Sequence, residues 1–516
     1  MYHRNSFRSS ALAADTSSIR YAMKARILAF AFLCTLLFIA VTASAQPSTA
    51  HDREPIVPAF SKAPQAFDST VLNSIGWLFN DDKYYYERAP IWLPLVKITL
   101  SNAALWAVDR YVFNYDFSHI SLESWKRNLQ EGWTWNDSDR FGNDFFFHPY
   151  TGGGYFMDAR SLGYDFWESI PFALFGAVEW KYFGENDQPT YPDLINTTIN
   201  GTFMGEVAYR LTSDVIDDRA KGGERVWREA FAALLSPSRF FSRLITGKLW
   251  KIADRPVLER EPTDVSLSVG PHLVNNGTSF GTGPVKLSLN GIVEYGNPFE
   301  AREHKPFDHF KLWGEFTNAY ERKYLGGVTG YGLLAGTNNG DGEGIQTMFG
   351  IFQHFDYFDN LTFEFGAVPI GLGLLTKIPL TSSHNIYENV NASFIPFGAN
   401  NAGYFPVDTA QSRDYSYGDG YEIMDETGLN VFNNTLNLSL VGYYIYFNSY
   451  YGQVVTNNIL LLKPRIVLNL FDNVGIGLEH QIYQSHRTSP VLAPATLNRT
   501  EQRFFVQWRW DDFPKQ

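Results

Sequence analysis

The residues whose types could do chemistry are concentrated between His148 and Gly247. A histidine beside a carboxylate can act as a general acid–base pair, so His148, Glu168 and Glu179 are candidate catalytic residues. No G-x-S-x-G nucleophile motif accompanies them. The segment also has no closely spaced histidines such as H-x-x-x-H, so we predict no metal site and no cofactor. A histidine that is hydrogen-bonded for structural reasons is the competing interpretation.

Two of these acids are spaced to share one helix face. Glu168 and Glu179 are eleven residues apart, which at about 100° per residue leaves them within about 20° of each other. Carboxylates on an aromatic-rich stripe are costly to bury unless arginines such as Arg160 pair with them. We therefore expect His148, Arg160, Glu168 and Glu179 to meet in one partly buried site. That site is either an ion-pair network that locks helices together or a pocket with shifted pKa values.

Other polar residues of the segment are candidate binding residues: Arg160, Asp193, Asn196, Glu206, Arg210, Arg239 and Arg243. Asp193 can cap a helix over 194–211. Glu206 and Arg210 are one helical turn apart and can pair. Arg239 and Arg243 have the same spacing and could bind anionic lipid headgroups, although a solvated basic face near a helix C-terminus explains them equally well.

Apolar residues at helical spacing predict the elements that must position these groups. They indicate helices at about 90–112, 166–183, 193–211, 223–235 and 237–246. The last helix has Ser236 as its expected N-cap, Pro237 at its first position and Gly247 just past its end. Gly201 and Gly205, four residues apart, would allow close packing against another helix.

From about Asp264 onward the period changes to two, as in Leu361, Phe363 and Phe365, which alternate with more polar neighbours. Clusters of Asn, Asp and Gly separate such runs, and Tyr or Trp stands near many of their ends. About ten to twelve strands fit into this region, which favours an antiparallel transmembrane β-barrel. A soluble β-sandwich or barrel is the competing fold. A twelve-stranded barrel would be too narrow for a wide aqueous pore.

The amino terminus has the features of an export signal. Lys24 and Arg26 precede an apolar run over 27–41, and Ala43-Ser44-Ala45 offers a cleavage site after Ala45. Met23 is an alternative start, and an uncleaved anchor is the competing interpretation. The whole chain has 42 Lys and Arg against 54 Asp and Glu, a formal net charge of −12. This balance argues against binding of nucleic acid, which needs basic surface.

Several spaced motifs occur in one order through the polar segment: His148-Pro149-Tyr150, Gly154-Tyr155-Phe156, Asp158-Ala159-Arg160, Phe166-Trp167-Glu168-Ser169, Glu179-Trp180, Gly205-Glu206 and Tyr209-Arg210-Leu211. Their order resembles that of domain-of-unknown-function family 3943, a family of bacterial envelope proteins. The resemblance covers about residues 140–250, with a barrel-like tail beyond. It implies an envelope location and no particular reaction.

Together these features predict an α+β protein with a helical module followed by a barrel. The predicted divisions are a signal peptide at 1–45, a flexible leader at 46–64, the helical module at 65–260 and the barrel at 261–516. We expect an outer-membrane protein of a Gram-negative bacterium, in contact with lipid, with a structural or binding role in envelope or lipid handling. The alternatives are a membrane-associated hydrolase or transferase that uses His148, Glu168 and Arg160, and a small-solute channel. A polar lumen would favour the channel, and a closed, converging polar pocket would favour the enzyme.

Overall fold

The computed structural model describes residues 88–137, 139–253, 260–275, 279–300, 304–320, 323–339, 344–401, 415–471, 473–490 and 493–511. The predicted signal peptide and leader, and the first part of the predicted helical module, lie outside these residues. None of the helices in the described ranges is both long enough and apolar enough to span a membrane.

Seven helices of the described residues form the helical module, and four of them include a π-helical turn at one end or in the middle. They are α1 (Trp92–Val108, continued by Asp109–Phe113), α2 (Leu122–Glu131), α3 (His148–Arg160, preceded by Asn143–Phe147), α4 (Phe166–Glu179, continued by Trp180–Gly184), α5 (Tyr191–Ile195 and Gly201–Val215, joined by Asn196–Asn200), α6 (Gly222–Leu235) and α7 (Pro237–Ile245). All five predicted helices are present, with ends shifted by a few residues.

Side chains set several of the helix starts. Asp165 caps α4 in a capping box with Glu168, whose side chain accepts from the Asp165 backbone N–H. Ser236 caps α7 as the sequence predicts, because its Oγ accepts from the backbone N–H of Arg239. The predicted cap at Asp193 is wrong. Because α5 begins at Tyr191, Asp193 lies inside its first turn.

Helices α3 and α5 approach each other through glycines. A Cβ atom on Gly201 would lie 2.7 Å from the backbone of Gly152, and one on Gly205 would lie 2.9 Å from the carbonyl oxygen of Gly153. A Cβ on Gly152 would overlap the carbonyl oxygen of Thr197. Gly201 and Gly205 of α5 therefore allow close packing against another helix, as their spacing predicts. Gly152 and Gly153 of α3 form the other side of the contact.

Thirteen strands follow the helices in the part of the chain that the structure describes. They are β1 (Thr263–Val274), β2 (Val285–Tyr295), β3 (Phe310–Tyr320), β4 (Lys323–Asn338), β5 (Gln346–Asp359), β6 (Glu364–Ala367), β7 (Ile370–Thr381), β8 (His384–Asn401), β9 (Ser416–Val431), β10 (Leu436–Tyr451), β11 (Thr456–Phe471), β12 (Val474–Thr488) and β13 (Ala495–Asp511). Each pairs antiparallel with its neighbours, and β13 pairs with β1 from Asp511 opposite Asp264 onward.

This sheet is a closed antiparallel barrel of twelve strand positions. Strands β6 and β7 both pair with β5 on one side and β8 on the other, so they are two parts of one interrupted strand. Pro369 lies at the interruption and has no N–H for the ladder. The predicted α+β fold, with helices followed by a barrel of ten to twelve strands, is confirmed.

The helical module lies against the outer wall of the barrel. Side chains alternate between the two faces of a strand. In β1, Asp264 lines the lumen, whereas Val265 and Leu267 pack in an apolar core that they share with the helices. In β5, Phe355 stacks on Phe203 of α5 with ring centroids 5.6 Å apart. The module thus packs on the outer face of the barrel wall, whereas the opposite face of the same strands lines the lumen.

Candidate functional site

The predicted catalytic residues have separate partners. His148 contacts Asp139 and Asp193 through its Nε2. Glu168 is ion-paired with Arg88 near the surface. Glu179 accepts hydrogen bonds from Thr99 Oγ1 at 2.7 Å and Asn102 Nδ2 at 2.8 Å. None of these bonds joins His148, Glu168 and Glu179 to one another, so the site expected around the two glutamates is replaced by a different one around His148.

Three of the predicted binding residues form a buried ion-pair network. Glu206 accepts from Arg160 Nε at 2.9 Å and from Arg210 Nε at 2.8 Å. Arg210 continues to Asp308, just before β3, at 3.3 Å, and to the Pro306 carbonyl oxygen at 2.9 Å. All of these side chains are buried. The network joins α3, α5 and the barrel, which is the helix-locking role that the sequence allowed.

Arg239 and Arg243 face the interior of the module. Arg239 donates to the Tyr209 carbonyl oxygen at 2.6 Å, and Arg243 binds Glu229 and Asp218. Both guanidinium groups are buried, which differs from the exposed basic face expected for lipid headgroups. Asn196, in the π-helical turn of α5, is also buried and accepts a hydrogen bond from Asn200 at 3.2 Å.

A dense group of ionisable side chains lies where the module meets one end of the barrel. We call Asp139, Asp144, His148 and Asp193 the junction site; one ligand atom from each lies within 4.8 Å of those of the others. Asp144 and His148 are four residues apart at the start of α3, and Asp193 comes from the first turn of α5. The hydroxyl groups of Tyr415 and Tyr417, at the start of β9, both donate to Asp144 Oδ2.

Burial and crowding of charge shift the protonation of this region. Burial alone would lower the pKa of His148, but Asp193 and Asp139 outweigh it and raise the pKa to about 9. Burial, together with repulsion from Asp193 and Asp139, raises the pKa of Asp137 to about 7. For Asp144, burial and the neighbouring carboxylates raise the pKa well above its usual value. At neutral pH the histidine is therefore held in its cationic form among the carboxylates.

Sequence reasoning identified His148 and Asp193 but missed Asp139 and Asp144. The prediction of no metal site rested on the absence of closely spaced histidines. The sequence signal for these ligands is instead Asp144, four residues before His148. That spacing places two potential ligands on one helix face. The sequence predicted no metal site, whereas the geometry of Asp139, Asp144, His148 and Asp193 is compatible with metal ligation.

The barrel encloses a second polar region. A cavity of about 1300 Å³ opens at the end of the barrel that holds the start of β1 and the end of β13. Among the described residues its lining includes six carboxylates and six lysine or arginine side chains: Asp264, Glu294, Glu315, Glu426, Glu479, Asp511, Lys311, Lys377, Lys463, Arg465, Arg503 and Arg509. Toward the other end, the lumen is filled by a buried cluster that includes Phe352, Phe358, Met424, Phe447 and Leu461.

The motifs through α3, α4 and α5 lie in a segment that is similar to a known protein family. Residues 132–238 match the model of Domain of unknown function (DUF3943). The resemblance expected from the sequence is confirmed for this segment. The DUF3943 segment contains all four residues of the junction site and the Arg160–Glu206–Arg210 network, whereas the tyrosines at the junction site belong to the barrel beyond it.

Solved structures similar to this chain include two porins and a toluene transporter. The NanC porin is 10% identical, with a TM-score of 0.25, over 47% of this chain and 98% of its own. The KdgM porin is 7% identical, with a TM-score of 0.22, over 47% of this chain and 98% of its own. The Pseudomonas putida toluene transporter TodX is 8% identical, with a TM-score of 0.22, over 49% and 90%. No curated protein matches the chain in sequence.

Proposed function

We propose that this protein is an outer-membrane β-barrel that binds a small polar ligand in its lumen, with the helical module held beside the barrel in contact with lipid. The observation that carries the proposal is the cavity of about 1300 Å³, which is polar at its open end and meets a packed apolar cluster toward the other. A filled lumen favours binding over steady conduction of solutes. The charge balance of its lining favours a ligand without a large net charge.

The outward surface supports the membrane location. Exposed apolar side chains recur at alternate positions on β7 to β13: Leu372, Leu374, Val390, Phe394, Ile423, Leu438, Leu440, Ile466, Leu468, Ile476, Phe504 and Val506. On α1, Trp92, Val96 and Leu100 are 59%, 46% and 64% exposed, one helical turn apart. Apolar surface of this extent marks a membrane or protein contact. The module also keeps charged groups such as Arg160 and Glu206 inside.

A charge on the outer face of the barrel should be much more costly than one in the lumen. Leu440 faces outward in β10, and the adjacent Ser439 lines the cavity. We expect Leu440→Lys to lower the free energy of unfolding in lipid bilayers by about 2–4 kcal/mol, whereas Ser439→Lys should change it by less than about 1 kcal/mol. Denaturant unfolding in vesicles measures both. Equal costs, or a product that fractionates away from the outer membrane, would contradict the location.

The cavity should select ligands by charge. Trp313 lines it, so its fluorescence can report binding in the detergent-purified protein. We expect maltotriose, a neutral polyhydroxylated probe, to quench or shift this signal at concentrations where citrate and spermidine have no effect, because acids and bases balance in the lining. Trp313→Phe should remove the ligand-dependent change in fluorescence and serves as the control, since the other tryptophans remain. Stronger binding of either charged probe, or steady ion conductance in planar bilayers, would contradict the proposal.

A further inference from the structure

We propose that the junction site binds one divalent first-row transition metal ion, with Asp139, Asp144, His148 and Asp193 as its protein ligands. His148 Nε2 lies 3.0 Å from Asp139 Oδ2 and 3.2 Å from Asp193 Oδ1. Ligand atoms about 2.1 Å from a tetrahedral ion are separated by about 3.4 Å. The two contacts of His148 are thus close to this spacing, and all four ligand atoms lie within 4.8 Å of one another. The inference is independent of any ligand in the lumen.

Asp193 and Asp139 each have one oxygen held by another residue and the other oxygen at His148. Asp193 Oδ2 accepts from Thr190 Oγ1 at 2.6 Å and pairs with Lys181, while its Oδ1 faces His148. Asp139 has its Oδ2 at His148. Asp144 Oδ2 accepts from two tyrosine hydroxyls.

The second carboxylate oxygen of Asp144, Oδ1, gives the strongest evidence for a missing ligand. Asp144 is fully buried, and its Oδ1 has no hydrogen-bond partner in the described structure. A buried carboxylate oxygen without a partner costs about 1–3 kcal/mol, or more when it is charged. A bound cation would satisfy it, and the hydrogen bonds to Oδ2 are the kind of outer interactions that orient a metal ligand.

The balance of charge at the site also favours a cation. The contacting groups comprise five carboxylates (Asp137, Asp139, Asp144, Glu185 and Asp193) and two cationic side chains (His148 and Lys181). Buried charges are tolerated when opposite charges offset them. A divalent ion would offset negative charge on these carboxylates, and His148 would release its Nε2 proton in order to bind it.

The ligand types distinguish among divalent ions. Ca²⁺ and Mg²⁺ prefer sets composed of oxygen ligands, whereas an imidazole beside carboxylates suits Zn²⁺ or Mn²⁺. An ion at this site would link α3 and α5 to β9, because Tyr415 and Tyr417 hold the Asp144 ligand from the barrel side. We therefore expect it to stabilise the contact between the helical module and the barrel.

The test uses the full-length protein purified in detergent and treated with a chelator. After equilibration with Zn²⁺ or Mn²⁺ and removal of free metal, elemental analysis should find one ion per chain. The midpoint temperature of thermal unfolding should be higher than in the chelator-treated protein. We expect Asp144→Asn to weaken the affinity by at least about 100-fold and Tyr417→Phe to weaken it by about 10-fold. Asp116→Asn, an exposed acid of the same module, is the matched control and should bind as the unmodified protein does.

Three results would overturn the proposal. One is the absence of stoichiometric Zn²⁺ or Mn²⁺ in the folded protein, and another is equal affinity in Asp144→Asn and Asp116→Asn. The third is a preference for Ca²⁺ or Mg²⁺, which would refute the transition-metal assignment. If Asp144→Asn does not fold, Mn²⁺ electron paramagnetic resonance on the unmodified protein decides the matter. Loss of the hydrated-ion signal supports the site, and an unchanged signal refutes it. Neither outcome bears on ligand binding in the lumen.

Discussion

Replacement of Glu206 by glutamine should destabilise the folded protein by about 3–5 kcal/mol, the cost of breaking a buried ion pair from one side. Glu206 is fully buried and accepts from both Arg160 and Arg210, so its loss leaves two buried guanidinium groups without their shared carboxylate. Because Arg210 also binds Asp308 beside the barrel, the contact between the module and the barrel should loosen as well.

The measurement is denaturant unfolding of the detergent-purified protein, followed by tryptophan fluorescence. Glu224→Gln is the matched control, since Glu224 also pairs with an arginine four residues later but is 54% exposed. Exposed pairs contribute about 0–1 kcal/mol, so this variant should unfold almost as the unmodified protein does. Equal decreases in the free energy of unfolding in the two variants would show that burial of the Glu206 network contributes nothing to stability.

Gly152→Ala is expected to be the most damaging single-methyl change in the helical module. The added Cβ would overlap the backbone carbonyl oxygen of Thr197, and no rotation of a flexible side chain can relieve an overlap with backbone. Helices α3 and α5 would have to separate, at a cost of about 3 kcal/mol by analogy with overpacked cores. Their separation would also pull Asp193 away from His148.

Gly154→Ala provides the control within the same helix. A Cβ at Gly154 would meet nothing within 4 Å, so the substitution should be neutral or stabilise α3 by up to about 1 kcal/mol. The temperature of thermal unfolding should therefore fall in Gly152→Ala and stay the same or rise in Gly154→Ala. Heat-modifiable gel mobility should show the same difference between the two variants. A stable, normally folded Gly152→Ala protein would contradict the close helix contact.

Elements with a repeating local pattern could be predicted from sequence. The change from helical spacing to alternation near Asp264 is a property of adjacent residues, and the barrel begins at Thr263. The cap at Ser236 was also predictable, because a cap acts on residues two or three positions away. The expected start at Asp193 failed because Thr190 and Pro192 allow α5 to begin earlier.

The sequence by itself determined the order of the two parts, the periodicity of their elements and the presence of a DUF3943-like segment, because these depend on neighbouring residues. Only the tertiary structure decided that the helices lie outside the barrel and that Glu168 pairs with Arg88. It also brought Asp193 and Tyr417 to the residues around His148. Such contacts join residues far apart in the chain. Their partners are selected by packing and by the need to pair buried charges, which no local spacing records.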